Sequence, residues 1–334
     1  MKKTKKLKTF FIAEIGANHN GNINLAKETI LLAKKSGCDA VKFQSWNENL
    51  WNQKVFEKNK KLLDDATKWK LDFKKLKILR NFSKKNKIIF GTTVFDKKQL
   101  LEALNIDCDF IKIASMDINN IQLLNDVSKI KKPVIISTGT ATEDEIINAS
   151  KIFKKNNKKN VTFLHCITIY PPNDTKTINL NNIIRIKKIT GFDAGYSDHT
   201  IWPETCIAAS IIGAKVIEKH FTKNKKLKGW DHLISADPNE MKNIISTSKK
   251  SCELLGSDKR KVSKTEKKFS KIMRRSFYLN RNVNRGDKIK LSDLILQRPE
   301  SSITANQLSG LLRKKYKNDL KKGSLLTKKN ISYK

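Results

Sequence analysis

The stretch FDAGYSDHTIWPETCIAASIIGAKVIEKHF, residues 192–221, reads as strand, helix, strand, and both strands end in a histidine with acids beside it: Ser197-Asp198-His199-Thr200 and Glu218-Lys219-His220-Phe221. Two imidazoles with neighbouring carboxylates are ligands and proton carriers that a buried core does not need, so the pair outlines a divalent-cation site. The same rhythm extends upstream. Short apolar runs rich in Val, Ile and Phe begin near Phe10 (FFIAEIG), Ala40 (AVKFQ), Ile88 (IIFGTTVF), Asp109 (DFIKIAS), Pro133 (PVIIST), Val161 (VTFLHC), Phe192 (FDAGYS) and Lys215 (KVIEKHF). Helical stretches separate them, the pattern of βαβ units in a parallel sheet. Eight such units predict an α/β fold, a (β/α)8 TIM barrel, whose chemistry sits at the carboxyl ends of the strands. The polar residues fall there: Glu14, Lys42, Gln44, Thr93, Lys112, Ser115, Ser137, His165, Ser197, His199, Glu218 and His220 lie within or just after an apolar run. A doubly wound open sheet also alternates strands and helices, but it rarely arms every strand end.

Composition narrows the class. The 334 residues are 38% hydrophobic, which excludes a disordered chain and leaves room for one large domain and a small one. The five cysteines are widely spaced with no CxxC pair, so a zinc ribbon or a secreted disulfide framework is not expected, and a reducing cytoplasmic setting is. The start, MKKTKKLKTFFIAEIGA, superficially resembles a signal peptide, but Glu14 interrupts its apolar run, and we read it as leading into the first strand. No apolar run approaches the ~20 residues that a membrane span needs. The formal charge of +37 raises nucleic acid as a partner. Against it, nine of the 69 basic residues are Arg, the side chain that base and phosphate recognition favours, and the lysines are spread over nearly every helix. Salt-sensitive nonspecific RNA affinity is expected, and specific recognition is not.

Residues 1–256 are expected to form the barrel, 257–274 a charged exposed linker, and 275–334 a small, mostly β module. Within the module, VNRGDKIKLSDL (283–294) and LKKGSLLTKKNI (320–331) share one pattern: a basic residue, Gly, two residues, Ile or Leu, three residues, Asp or Asn, then an aliphatic. Such an internal repeat suggests two similar turn-and-strand pieces.

Three constellations point to chemistry. Glu14-Ile15-Gly16-Ala17-Asn18-His19-Asn20-Gly21 ends the first strand, its glycines permitting a tight loop with Glu14 and Asn18 at the rim. Lys42 and Lys112 sit inside apolar runs, where an uncompensated charge costs several kcal/mol, so each must pair or bind an anion. With hydroxyls from Thr93, Ser115 and Ser137 they make a phosphate or carboxylate pocket; a structural ion pair or a Schiff-base lysine are the alternatives. His199 and His220, flanked by Asp198, Glu218 and the loop acid Asp231, suit a divalent cation with waters left in place. His165 is either a third ligand or a hydrogen-bonding partner.

EIGANHNG, VKFQ, FIKIAS with MDINN, KPVIISTGT, LHC with IYP, YSDHT, EKHFT and GWDH occur in the order and spacing of sialic acid (N-acetylneuraminate) synthases and their relatives, and the chain resembles that family over nearly its whole length. RRSFYLNRNVNRGDKI and LQRP resemble the antifreeze-like SAF (β-clip) module of those enzymes. The resemblance implies a cytoplasmic transferase that condenses phosphoenolpyruvate with an N-acylated amino-sugar aldehyde to give a nonulosonic acid and phosphate. It implies Mn2+ or Mg2+ on His199 and His220, and phosphoenolpyruvate on Lys42, Thr93, Lys112, Ser115, Ser137 and Ser197. It places Gln44, Asp117, Tyr170 and Asp231 around the sugar, with Glu14 and Glu218 near the reacting centre and Glu14 as base for a water adding at C2. It further implies a domain-exchanged homodimer in which Arg298 serves the partner's sugar site. Three departures, Thr168 for Asn, Asp117 for Glu and Trp230 for Pro in the usual GPDH loop, all face the sugar or its approach. A Schiff-base pyruvate aldolase of the sialic acid lyase type and, from another class, an RNA-binding barrel protein are the alternative readings.

Overall fold

The computed structural model describes residues 9–44, 46, 50, 60–300 and 302–332. It divides into two compact units, Met1–Gly256 and Ser257–Lys334. In the first, eight parallel strands close into a barrel in sequence order: β1 (Phe10–Gly16), β2 (Ala40–Gln44), β3 (Ile89–Thr93), β4 (Phe110–Ile113), β5 (Val134–Ser137), β6 (Val161–Cys166), β7 (Asp193–Asp198) and β8 (Val216–His220). Each begins within one residue of its expected start. Closure is explicit in the register, where Glu14 lies opposite Lys42 on one side and His220 on the other.

The helices that cover the barrel are α1 (Ile23–Lys35), α2 (Lys60–Trp69), α3 (Phe73–Lys85), α4 (Lys97–Asn105), α5 (Ile121–Ser128), α6 (Glu143–Lys155), α7 (Asn182–Thr190), α8 (Pro203–Ile211) and α9 (Pro238–Leu255). Their starts are chemically marked. Asn22, Asp72, Asp96 and Asn120 accept first-turn amides, Thr142 with Glu145 and Asp237 with Glu240 form capping boxes, and Pro203 and Pro238 occupy the first turn, where no amide is needed. None of the helices among the described residues is long and apolar enough to cross a membrane.

Side chains alternate along each strand, so the barrel has two apolar layers. Outward residues such as Phe11, Val41, Phe43, Phe90, Ile111 and Phe163 join the helices in the main core. Inward ones, Ile12, Ala40, Phe110, Ile135, Leu164 and Val216, form a separate plug that floors the barrel. Gly91 makes room for it, since a Cβ there would fall 2.1 Å from the Phe110 ring. Two residues further along each of these strands, the inward positions become polar.

In the second unit, β9 (Ser276–Leu279) pairs antiparallel with β10 (Leu294–Gln297) over a core of Phe277, Leu279, Val283, Ile289, Ile303, Leu311, Tyr316, Leu326 and Ile331. The sequence repeat is a structural one. Gly286 and Gly323 both take left-handed φ, +89° and +84°, and a 3-10 turn follows each, Leu291–Asp293 and Lys328–Asn330. Asp293 and Asn330 then accept the amides of Lys290 and Thr327 in equivalent bonds of 3.0 Å. The stretch expected as an exposed linker holds a helix, α10 (Lys264–Met273), started by a Ser263–Glu266 capping box.

Candidate active site

Above the plug, the strand ends open into a cavity of about 510 Å³. Its walls carry the barrel residues that the resemblance assigns to catalysis, substrate or metal: Glu14, Lys42, Gln44, Thr93, Lys112, Ser115, Asp117, Ser137, Tyr170, Ser197, His199, Glu218, His220 and Asp231. The alternation that floors the barrel with Ile12, Ala40, Phe110 and Val216 puts Glu14, Lys42, Lys112 and Glu218 one inward step higher.

Two buried lysines organise the floor of the cavity. Lys42 Nζ is ion-paired to Glu14, lies 3.7 Å from Glu218 Oε2 and donates to Thr93 Oγ1 at 2.8 Å. Lys112 Nζ donates to Ser137 Oγ at 2.7 Å and to Ile113 O at 2.8 Å. Gln44 Nε2 donates to Glu14 Oε1 at 3.1 Å, and Ser197 Oγ to Glu218 Oε1 at 2.9 Å. Gly139 N donates to Ser115 Oγ at 3.0 Å. Gly16, with φ +49°, is required here, because a Cβ would lie 2.9 Å from Glu14 Oε1.

This arrangement drives the two glutamates apart. Burial pushes Glu14 up from 4.5 to about 7, with Glu218 adding to the rise and Lys42 opposing it. Burial works to raise Glu218 too, but Lys112, Lys42 and the Ser197 hydroxyl outweigh it and hold it below the usual range. Burial lowers Lys112, whereas Glu14 and Glu218 overcome burial and raise Lys42. Burial lifts Asp117 and Asp231 to about 6 each. Two carboxylates of opposite tuning in one pocket are the signature of separate acid–base and electrostatic roles.

The imidazoles meet at the ends of β7 and β8, ring centres 5.3 Å apart. His199 Nδ1 is 2.7 Å from Ile167 O, a carbonyl that can only accept, so this nitrogen carries a proton; burial would lower the His199 pKa, but the neighbouring Cys166, then Ile167 O and Asp198, outweigh it and raise it. His220 Nδ1 is buried without a hydrogen-bond partner and lies 3.6 Å from Asp231 Oδ2. Burial, then the charges of His199 and Lys42, push His220 well below its usual value, so it is a neutral ligand-type imidazole. Among the described residues, no group of three or more His, Cys, Asp or Glu is gathered into a cage. Two imidazoles with one carboxylate nearby suit an open, partly hydrated divalent cation rather than a closed structural site.

The NeuB family model matches residues 29–260. The chain belongs to the NeuB family. Residues 274–332 match the SAF domain. The N,N'-diacetyllegionaminic acid synthase of Campylobacter jejuni is 35% identical over 93% of this chain and 98% of its own length. The enzyme of the same name from Legionella pneumophila is 34% identical, over 96% of this chain and 94% of its own. The solved N-acetylneuraminic acid (sialic acid) synthetase of Leptospira borgpetersenii, in complex with citrate, has a TM-score of 0.72 at 35% identity, covering 78% of this chain and 90% of that one.

Two residues of this NeuB-family chain, Asp198 and Asn18, sit where sequence reasoning did not put them. Asp198, read as flanking the imidazoles, faces away from the cavity and pairs with Lys219 at 2.8 Å. It also accepts from Tyr196 OH at 3.0 Å, Thr200 N at 3.0 Å and Thr205 Oγ1 at 3.1 Å. Asn18 is no rim ligand: its Nδ2 donates to Phe221 O and Ser235 Oγ, fastening the loop after β1 to the end of β8. His165 Nε2 bonds to Ile178 O at 2.6 Å, outside the cavity wall. Arg298 belongs to the second unit, where it is exposed and donates through Nε to Met273 O at 2.6 Å. Cys166, Phe95, Met116 and Trp46 line the cavity without having been singled out. For Cys166 the signal was available, because it is two residues beyond inward Leu164.

Proposed function

We propose that the chain condenses phosphoenolpyruvate with the open-chain aldehyde of an N-acylated amino sugar, giving a nonulosonic acid and inorganic phosphate. The observation that carries this reading is the split between Glu14 and Glu218, which share Lys42 yet are tuned in opposite directions. Lys42 and Lys112 attract the anionic substrate. Thr93, Ser115 and Ser137 each accept a bond at oxygen, so their protons are available to phosphate or carboxylate oxygens, whereas the Ser197 proton already serves Glu218.

In the reaction, C3 of phosphoenolpyruvate forms a bond to the aldehyde carbon and positive charge develops at C2. Glu218, held ionised, faces that charge. Glu14, poised near neutrality, takes a proton from the water that adds at C2. Asp231 returns a proton to the oxygen that was the aldehyde's. The bond between C2 and the oxygen that bridges to phosphorus then breaks, phosphate leaves with that oxygen and takes up the proton of the C2 hydroxyl, and C2 becomes a ketone. His199 and His220, with Asp231 beside them, would hold a Mn2+ or Mg2+ ion, which supplies Lewis-acid polarisation of a bound carbonyl oxygen. A domain-exchanged homodimer, with the exposed Arg298 completing a partner's sugar site, belongs to the same proposal.

A second reading is favoured by one observation, the lowering of Lys112 by burial, which is how an amine nucleophile is prepared. A Schiff-base aldolase would consume pyruvate and release no phosphate. Incubation with pyruvate and borohydride separates the two: the synthase leaves Lys42 and Lys112 unmodified and releases one phosphate per keto acid, whereas a stable adduct on either lysine overturns it.

A further inference from the structure

The groups that face the candidate cation site arrive from three separate segments. His199 follows β7, His220 ends β8, and Asp231 lies on the loop beyond it. Direct contact does not fix their spacing. The two imidazole centres are 5.3 Å apart, and His220 Nδ1, buried without a hydrogen-bond partner, stands 3.6 Å from Asp231 Oδ2. Whatever sets the geometry has to act on the backbone behind the three side chains.

Lys219 reaches that backbone at all three segments. It stands between Glu218 and His220 in β8, where the alternation of the strand turns it away from the cavity, and it is 3% exposed. An ammonium has three donors. Here they meet the Asp198 carboxylate at 2.8 Å, Thr200 O, and Ile234 O at 3.4 Å. Asp198 and Thr200 bracket His199 in the chain, so two of these bonds hold the stretch from which that imidazole projects. The third reaches the loop of Asp231. Next to Ile234, Ser235 Oγ donates to Asp231 O at 2.6 Å and Ala236 N to His220 O at 2.8 Å, so the tie is passed on to both residues.

Resting on the condensation reading and its divalent cation, we infer that Lys219 is a positioning residue for the cation site. From the outer side of the strand its ammonium sets the spacing of His199, His220 and Asp231, and it touches neither cation nor substrate. Ligand bonds to a divalent cation have narrow lengths, and a site whose ligands are held within about 0.5 Å by their supports loses affinity when those supports go. An ion pair that serves stability alone would leave the cation affinity of the folded protein unchanged.

The test uses the full-length protein and Mn2+ alone as the probe, read by titration calorimetry, with urea unfolding run alongside. Asp198→Asn removes the charge pair but leaves Lys219 both carbonyls. It should lose stability and still bind Mn2+ as tightly as the wild type. Adding Lys219→Met to that variant fills the same space without a donor and leaves no stranded charge. Mn2+ affinity should then fall about 10–100-fold, the usual cost of removing a group that orients metal ligands. The fall in kcat should accompany it, while the KM for phosphoenolpyruvate, whose lysines Lys42 and Lys112 lie on β2 and β4, stays unchanged. Asp198→Asn with Lys219→Gln, polar but too short to span both carbonyls, should give the same loss, and serves if the methionine variant does not fold. Mn2+ affinity equal to that of Asp198→Asn in the folded double variant overturns the inference. So does a loss already complete in Asp198→Asn, which would assign the effect to the ion pair. Wild-type protein that takes up no Mn2+ refutes the cation reading itself, before any variant is compared, and the inference falls with it.

Discussion

Removing the Asp198 carboxylate should destabilise the barrel even though its side chain does not line the cavity. Asp198 is 1% exposed and Lys219 3% exposed, so each ion has exchanged water for the other. The Lys219 ammonium otherwise finds Thr200 O and, at 3.4 Å, Ile234 O. Asp198→Ala strands that ammonium and leaves Tyr196 OH and Thr200 N without this acceptor, while Thr205 Oγ1 keeps Trp202 O at 2.8 Å. Breaking a buried pair from one side costs about 3–5 kcal/mol. For a domain of this size that corresponds to a fall in Tm of about 6–20 °C. Urea unfolding and calorimetry read it directly. The double variant Asp198→Ala, Lys219→Met removes the stranded charge as well, so it should recover about 1–3 kcal/mol of the single variant's loss. The pH dependence has a definite sign. Burial would raise the Asp198 pKa, but Lys219 and the donors around it hold it below 3.8. A carboxyl depressed in the folded state stabilises above its unfolded value, and that contribution is lost as pH falls through the folded value. The cost of Asp198→Ala is therefore full at neutral pH and shrinks below 3.8. A single variant within about 1 kcal/mol of wild type, a range typical of surface sites, or strict additivity in the double, would refute the reasoning.

Glu14→Gln should lower kcat by about 10²–10⁴, the usual contribution of a general base. It should also erase a rise in kcat/KM through about pH 7 that the wild type shows as Glu14 loses its proton, and a variant with an unchanged pH profile would remove Glu14 from that role. Chelation should abolish turnover and Mn2+ restore it, while His220→Ala should bind Mn2+ more weakly by calorimetry; full activity of His220→Ala in excess chelator would dismiss the cation. Mixed dimers of Arg298→Ala and Glu14→Gln chains, each nearly inactive alone, should regain one working site per dimer if the sites are shared. Verified heterodimers without recovery would show that Arg298 serves its own barrel.

The barrel was legible because each strand carries its own signature, a Val-, Ile- or Phe-rich run that turns polar at its carboxyl end. The same period of two, applied one residue more strictly, separates Ser197 from Asp198 and Glu218 from Lys219. The inward member of each pair lines the cavity and the outward member joins the buried ion pair. The Asn18 clamp and the Trp46–Trp69–Trp230 cluster were not legible, because their partners come from loops and helices distant in the chain, and no local pattern encodes such contacts. The helix Lys264–Met273 did announce itself through Ser263 and Glu266, a cap signal set within a run of charges that reads as linker.

The most direct test of the proposed chemistry follows the oxygen that bridges C2 and phosphorus. Phosphoenolpyruvate carrying heavy oxygen at that bridge is turned over with an N-acylated amino sugar, and the products are weighed by mass spectrometry. Water addition at C2 assisted by Glu14 predicts that the label departs entirely in inorganic phosphate while the new keto oxygen comes from solvent. Label retained in the keto acid, with solvent oxygen in the phosphate, would mean that water attacks phosphorus, and would contradict the account.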